Sequence, residues 1–273
     1  MNILFRHLAS LKAEERERLL RRSKSDIAAL VEQVRPIVDG VREQGDEALR
    51  QYTLQFDKAD LRDLPIQVTE KEIDTAPDQL SRELRSAIEY AIENVRRFHE
   101  SQRRPESELT TVRPGIVAGE RTSPIESAGL YVPRGRGTFP SMLYMLAVPA
   151  SIAGVDHIAV ATPPGPEGEV DPACLYAAQL CGVHRVYRVG GAQAISALAY
   201  GTESVVPVRK IVGPGSAYVA AAKQLVSERA DTGLPAGPTE SMVLADGTAE
   251  PRIDALDLAI EAEHGMDSAA LLV

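Results

Sequence analysis

The strand-and-helix pattern of the chain is clearest in RVYRVGGAQAISALAYGTESVVPVRKIVGPGSAYVAAAKQLV, residues 185–226. The apolar strands at 185–189 and 210–212 each run into glycines, and a helix of small residues follows each of them. Strands that alternate with helices through short connections are typical of a parallel sheet covered by helices. The segment therefore predicts an α/β fold with two glycine-rich turns at one edge of a sheet.

The same alternation continues on both sides of this segment. Upstream, the expected strands GLYVP at 129–133 and HIAVATP at 157–163 flank a helix over SMLYMLAVPASIAG. Downstream, the expected strands ESMVLAD at 240–246 and AALLV at 269–273 flank a helix over RIDALDLAIEAEH. We therefore predict parallel-sheet, Rossmann-like domains.

The N-terminal part of the chain has a helical pattern instead. In IAALVEQVRPIVDGVREQ, residues 27–44, the apolar residues recur at helical spacing, and a long amphipathic helix is expected between Pro77 and Pro105. We interpret this arm as a scaffold or a dimerisation element. Residues 105–125, rich in Pro, Arg, Glu and Ser, mark the expected boundary, which gives a helical region 1–125 and an α/β core 126–273. Because the chain stops on an apolar strand, we expect it to be a fragment or a truncated product.

Composition excludes several classes of protein. The 273 residues are 44% hydrophobic, and the net charge is -9, which disfavours a general nucleic-acid binder. No apolar run is long enough to span a membrane, and the charged N-terminus lacks the apolar core of a signal peptide. These features predict a cytoplasmic protein that handles small molecules.

The two cysteines lie seven residues apart on one expected helix. That spacing places Cys174 and Cys181 about two turns apart, which is too far for a disulfide. We favour two small buried apolar side chains over a redox or metal pair.

Three glycine-rich turns follow expected strands: PRGRGTFPS at 133–141, VGGAQA at 189–194 and VGPGSA at 212–217. In a parallel sheet such turns gather at the carboxyl edge, where ligands bind. Glycine lets the backbone approach a phosphate, and the start of the following helix offers free N–H groups to an anion. Any one of these turns is explained as a tight turn, and GRGTFP lacks the third glycine of a dinucleotide fingerprint. Three in succession favour a nucleotide or phosphate ligand.

These motifs, with AGPTE at 236–240 and EAEHG at 261–265, resemble the histidinol dehydrogenase family and occur in that family's order. The resemblance implies an NAD-linked, zinc-dependent dehydrogenase in which Tyr131, Gln193 and Ser216 contact NAD. Typical members have asparagine at the position of Ser216. Arg134 and Arg136 stand where the typical pattern has a glycine pair. They are either solvated or paired with a phosphate or an anionic substrate.

The expected zinc site lies at the end of the helix RIDALDLAIEAEH. Glu261 and His264 are three residues apart and share a helix face, so a carboxylate and an imidazole can hold one metal ion. Taken alone, this spacing usually indicates a salt bridge or a cap. The resemblance implies that both residues bind zinc and substrate, with Glu261 in place of the usual glutamine, and that Thr239 contacts the substrate.

The resemblance also implies the reaction, which is oxidation of L-histidinol through histidinal to L-histidine in two NAD-dependent steps by a homodimer. The family's acid–base pair would follow Val273, so none of the catalytic residues lies in this chain. We therefore expect the chain alone to be inactive. Two alternatives stay open. One is a paralogue that oxidises another small alcohol, such as a sulfopropanediol, and the other is a non-catalytic product that binds nucleotide or only dimerises.

Overall fold

The computed structural model describes residues 10–21, 27–134, 137–233, 240–263 and 268–273. The helices in these residues are α1 (Ala13–Arg21), α2 (Ile27–Gln44), α3 (Asp46–Tyr52), α4 (Glu70–Thr75), α5 (Arg82–Glu100), α6 (Pro140–Ile152), α7 (Pro172–Leu180), α8 (Gly191–Tyr200), α9 (Ala217–Leu225) and α10 (Pro251–Glu263). The strands are β1 (Ser107–Arg113), β2 (Ile116–Arg121), β3 (Ser127–Tyr131), β4 (His157–Ala161), β5 (Arg185–Tyr187), β6 (Lys210–Val212), β7 (Glu240–Val243) and β8 (Ala269–Leu272). A π-helical turn over Thr53–Asp57 follows α3, and a 3₁₀ turn over Ala76–Gln79 precedes α5.

The chain forms two compact units. The larger is Ala28–Ala236, and the smaller combines Met1–Ile27 with Gly237–Val273. The expected division at residue 125 stays a prediction, because a domain is defined by its own core and its ability to fold alone rather than by compactness.

The larger unit is built on a parallel sheet, as the sequence predicts. Its strand order in the described part of the chain is β5-β4-β3-β6, with Leu130 opposite Val160 on one side and Val212 on the other. Since crossovers between parallel strands are right-handed, α6 and α7 cover one face and α8 the other. The helices pack accordingly: α6 contacts α5 and α7, whereas α8 contacts α3 and α9. The α/β fold class is therefore confirmed.

An ion pair joins the N-terminal helices to the carboxyl end of β5. Arg188, which is 1% exposed, donates to both carboxylate oxygens of Glu72 at 2.8 and 2.7 Å and to the carbonyl of Gly168 at 2.9 Å. Glu72 also accepts from the backbone N–H of Thr69 and completes a capping box at the start of α4. Although burial acts to raise the pKa of Glu72, the hydrogen bonds from Thr69 and Arg188 hold it below its usual value. The helical region thus packs directly against the edge of the sheet where the glycine-rich turns lie.

Residues 105–125 contain an antiparallel hairpin that the sequence analysis did not anticipate. β1 pairs with β2 around Pro114 and Gly115, and Gly115 has φ +83°. A proline followed by a glycine with positive φ is typical of a type II turn, and the β-branched residues before it favour a strand. Both strands are exposed along their whole length.

In the smaller unit, β7 and β8 form a parallel pair joined through α10, as predicted. The described helices do not include one with both the length and the apolar character that a bilayer crossing requires.

The favoured interpretation of the cysteines is confirmed. Cys174 and Cys181 are free thiols with buried side chains. Burial raises the pKa of Cys174 to about 12 and that of Cys181 to about 11, so neither is an activated thiolate.

Candidate functional site

The candidate site lies at the carboxyl edge of the four-stranded sheet. From the central strand β3 the chain first proceeds to β4 and β5, and it later returns past β3 to form β6 on the other side. The strand order therefore reverses between β3 and β6. In open α/β sheets, ligands bind in the crevice outside the carboxyl ends of the strands at such a reversal. The turns that follow β3, β5 and β6 all lie at this edge, as the sequence predicts.

Two of these turns meet at Tyr131, the last residue of β3. Its phenol is buried and accepts a hydrogen bond from the backbone N–H of Gly191 at 3.1 Å. On the other side Gly213 has φ +113°, and a Cβ built on it would lie 2.1 Å from the carbonyl oxygen of Tyr131. Only glycine fits there. Burial raises the pKa of Tyr131 to about 12 against the opposing hydrogen bond from Gly191, so the phenol keeps a proton that it can donate.

Gln193 lies in the first turn of α8 with its side chain folded back toward the glycines. Gly191 has φ +58°, and a Cβ on it would lie 2.6 Å from Oε1 of Gln193. The residue is 1% exposed, and within the described residues Nε2 has no hydrogen-bond partner. A buried amide without a partner costs about 1–3 kcal/mol, and a ligand acceptor placed there would remove that cost.

Ser216 is the N-cap of α9, the helix that follows the third glycine-rich turn. Its side chain is exposed and makes no capping hydrogen bond, although serine at this position usually makes one. The hydroxyl is therefore available to a ligand, as are the first N–H groups of α9. Tyr131, Gln193 and Ser216 thus all belong to elements that converge on the reversal between β3 and β6.

Lys223 is a residue of this edge that the sequence analysis missed. It lies two helical turns after Ser216, and its Nζ donates to the carbonyl oxygen of Gly213 at 2.5 Å. Burial lowers the pKa of this lysine. A lysine directly after the run AYVAAA of apolar and small residues is the signal that identifies it. Its role is to hold the turn after β6 in place.

Asp57 is a second residue that the sequence analysis missed. It ends the π-helical turn, and its charge acts to raise the pKa of Tyr131. One carboxylate oxygen, Oδ2, is enclosed and has no hydrogen-bond partner in the described part of the chain. Burial raises the pKa of Asp57 to about 6, and the nearby Arg134 opposes the rise. Nothing in the sequence pattern predicts that the charge of Asp57 acts on Tyr131, because their proximity depends on how the helical region packs.

Arg134, for which the sequence leaves two roles open, follows β3, and its charge acts to lower the pKa of Asp57. Its guanidinium is 3.6 Å from a carboxylate oxygen of Glu169, which is a loose pair, and its side chain is 30% exposed. The cation is therefore partly solvated and loosely paired with Glu169. Arg136 lies outside the described residues.

This edge fits a dinucleotide. It offers glycine-rich turns, two helix N-termini for phosphate, a phenol and a serine hydroxyl, and a buried amide whose donor lacks a partner. The carboxylate of Asp57, whose Oδ2 has no hydrogen-bond partner among the described residues, adds a negative charge that acts on Tyr131.

The expected metal ligands belong to the smaller unit. Glu261 lies in the last turn of α10 and is buried at 6% exposure, whereas Thr239 and His264 lie outside the described residues. Among the residues that the structure describes, no group of three or more His, Cys, Asp or Glu side chains is arranged to hold a metal ion. The zinc site stays a prediction.

Comparison with known proteins identifies relatives along the whole chain. The family model described as histidinol dehydrogenase matches residues 20–273. A histidinol dehydrogenase homolog from Rhizobium meliloti is 50% identical over 100% of this chain and 60% of its own length. The histidinol dehydrogenase of Synechocystis sp. is 47% identical over 97% of this chain and 61% of its own length.

A solved structure agrees with these relatives. The crystal structure of histidinol dehydrogenase from Elizabethkingia anophelis superposes with a TM-score of 0.86 at 38% identity, covering 96% of this chain and 60% of that one. The chain therefore spans about 60% of the length of the relatives it matches.

Proposed function

The chain belongs to the histidinol dehydrogenase family, and from this premise we propose that it forms the dinucleotide-binding part of an NAD-dependent dehydrogenase. The observation that carries the proposal is the convergence of two glycine-rich turns on Tyr131 beside the unpartnered amide of Gln193. Tyr131, Gln193 and Ser216 would hold NAD⁺ through a phenol, an amide and a hydroxyl. When bound, the cofactor would supply the acceptor for the hydride that leaves the alcohol carbon.

The proposed reaction is oxidation of L-histidinol to L-histidine through histidinal, as the last steps of histidine biosynthesis. Relatives that carry the name histidinol dehydrogenase support this substrate. Thr239 would contact the substrate. We further propose a cytoplasmic homodimer, in line with the resemblance on which the reaction rests.

Glu261 and His264 would contribute a carboxylate and an imidazole to a zinc ion that orients the substrate's amine and imidazole groups. The burial of Glu261 supports a role for its side chain inside the protein rather than at the surface. An anionic carboxylate binds zinc more strongly than a neutral amide and also lowers the positive charge that the metal presents to the substrate.

A second candidate is a paralogue that oxidises another small alcohol twice, such as a sulfopropanediol. The observation that favours it is Arg134, a partly exposed cation at the site where the typical family pattern has glycine. A guanidinium there suits an anionic substrate. Ser216 and Glu261, which also differ from the typical residues, point the same way.

An assay of the whole protein separates the two candidates. With NAD⁺ and zinc, L-histidinol should yield two NADH for each L-histidine formed, and a sulfopropanediol should yield none. The reverse preference would select the second candidate. Binding of NAD⁺ with neither alcohol oxidised would instead select a non-catalytic product. Under the same conditions the 273-residue chain should bind NAD⁺ without oxidising histidinol, and measurable turnover would refute that expectation.

A further inference from the structure

We propose that Asp57 is a binding residue of this site, whose carboxylate accepts hydrogen bonds from the ribose hydroxyl groups of the dinucleotide and disfavours a ribose that carries a phosphate. The inference deepens the proposed function and rests on it. It adds a residue from the helical region to a site otherwise built from the turns of the sheet.

The position of Asp57 comes from the π-helical turn after α3. That turn ends at Lys58, which has φ +62° and so reverses the chain immediately after the carboxylate. A π-helical turn is wider than an α-helical one and displaces its side chains from their regular direction. Here the displaced carboxylate lies where its charge acts on the phenol of Tyr131 and where the charge of Arg134 acts on it.

A comparison with Asp46 shows that Asp57 is not used to hold the fold together. Asp46, at the start of α3, accepts hydrogen bonds on both carboxylate oxygens, from the hydroxyl of Thr202 at 2.6 Å and from the N–H and hydroxyl of Ser204. In contrast, Oδ2 of Asp57 is enclosed without any hydrogen-bond donor in the described part of the chain. Because buried polar groups are almost always paired, such an oxygen indicates a partner that arrives from outside the chain.

The chemistry of the partner follows from the acceptor. A carboxylate accepts hydrogen bonds and donates none, so it suits vicinal hydroxyl groups, which offer two donors. A phosphate group in the same place would bring like charges together in a partly buried site. Acidic residues select an unphosphorylated ribose in this way in dinucleotide-binding folds, where an arginine instead accommodates the phosphate. With Asp57 neutralised, the nearby Arg134 would be free to attract that phosphate.

The test compares NAD⁺ and NADP⁺ binding by isothermal titration calorimetry to the chain and to Asp57→Asn. We expect the substitution to weaken NAD⁺ binding roughly tenfold and to leave NADP⁺ binding equal or stronger, so that the preference for NAD⁺ falls by at least that factor. Asp60→Asn is the matched control, because Asp60 is exposed and paired with Arg62 at 2.6 Å. It should bind both nucleotides like the parent chain.

The outcomes distinguish this inference from the proposed function. If Asp57→Asn lost affinity for both nucleotides equally, or for neither, the role of Asp57 would be overturned. The proposed function would still hold as long as the parent chain binds NAD⁺. Failure of the parent chain to bind either nucleotide would overturn the proposed function and this inference with it. Thermal unfolding of each variant verifies that a loss of affinity does not reflect loss of the fold.

Discussion

At the scale of single residues, the site is recognised by polar groups that the fold leaves without partners. Oδ2 of Asp57 and Nε2 of Gln193 are both buried without hydrogen bonds among the described residues. Each such group costs the folded state free energy that a paired group would not. Groups retained at that cost are typical of binding sites, where the ligand completes the hydrogen bonds.

The protonation of Asp57 makes this cost measurable. Its pKa rises from 3.8 to about 6 on folding, because of burial and against the opposing charge of Arg134, while Tyr131 on the other side stays neutral. The folded chain therefore binds this proton more tightly than the unfolded chain. The stability that follows is fully present below pH 3.8 and is lost as the pH rises through about 6.

We therefore predict that Asp57→Asn raises the free energy of unfolding at mildly alkaline pH, where the parent carries a buried charge, and that this advantage disappears as the pH falls below the folded pKa. Urea unfolding at several pH values measures it. Asp60→Asn should behave in the opposite way, because hydrogen bonds from Arg62 lower the pKa of Asp60. A parent and an Asp57→Asn variant with the same pH dependence would contradict the burial of a charged Asp57.

The sequence identifies some of these residues and not others. Tyr131, Gln193 and Ser216 are identified by the family resemblance of the motifs around them. Asp57 and Lys223 are not identified in this way. Asp57 is significant because its Oδ2 lacks a hydrogen-bond donor among the described residues, and Lys223 because it donates to the carbonyl of Gly213. Those contacts depend on packing between distant segments and have no sequence signal of their own.

At the scale of elements, the turns at the carboxyl edge allow little freedom. Gly213→Ala would place a Cβ 2.1 Å from the carbonyl oxygen of Tyr131 at a φ of +113°. We predict a loss of about 2–4 kcal/mol in the free energy of unfolding and a marked loss of NAD⁺ affinity, because the backbone of β3 or of the turn must shift. Thermal unfolding and calorimetric titration measure the two effects.

Gly182→Ala provides the matched control in the turn between α7 and β5. Gly182 also has a positive φ of +72°, but a Cβ there meets no atom within 4 Å. Gly182→Ala should lower the free energy of unfolding by only about 1–2 kcal/mol and leave NAD⁺ affinity unchanged. If the two variants lost stability and affinity equally, the close approach of Gly213 to Tyr131 would not be what shapes the site.

The elements themselves are largely predictable from sequence. Alternation of apolar strands with helices of small residues locates β3 to β6 and their turns, and helical periodicity locates α2 with the observed bounds Ile27–Gln44. The same patterns do not predict the hairpin of β1 and β2. Its residues are exposed on both faces, so they lack the alternation of apolar and polar residues that marks a half-buried strand. Its signals are Pro114 and Gly115 at the turn and the β-branched residues that precede them.

At the scale of the whole molecule, the turns after β3, β5 and β6, which are far apart in the chain, meet at the carboxyl edge of one sheet. The charge of Asp57, at the end of the π-helical turn Thr53–Asp57, acts on Tyr131 at this edge. That parallel strands bring these turns to one edge is predictable from the alternating pattern of strands and helices. The packing of the helical region on that edge is not, because it depends on contacts such as that between Arg188 and Glu72.

Hydrogen–deuterium exchange of the chain with and without NAD⁺ tests this claim most directly. We predict that NAD⁺ slows exchange together in the backbone around Tyr131, in residues 189–194, in residues 212–217 and in the π-helical turn, and leaves the hairpin at 107–121 unchanged. Protection confined to a single turn, or located at the amino edge of the sheet around Arg185 and Arg229, would contradict a dinucleotide site at the carboxyl edge.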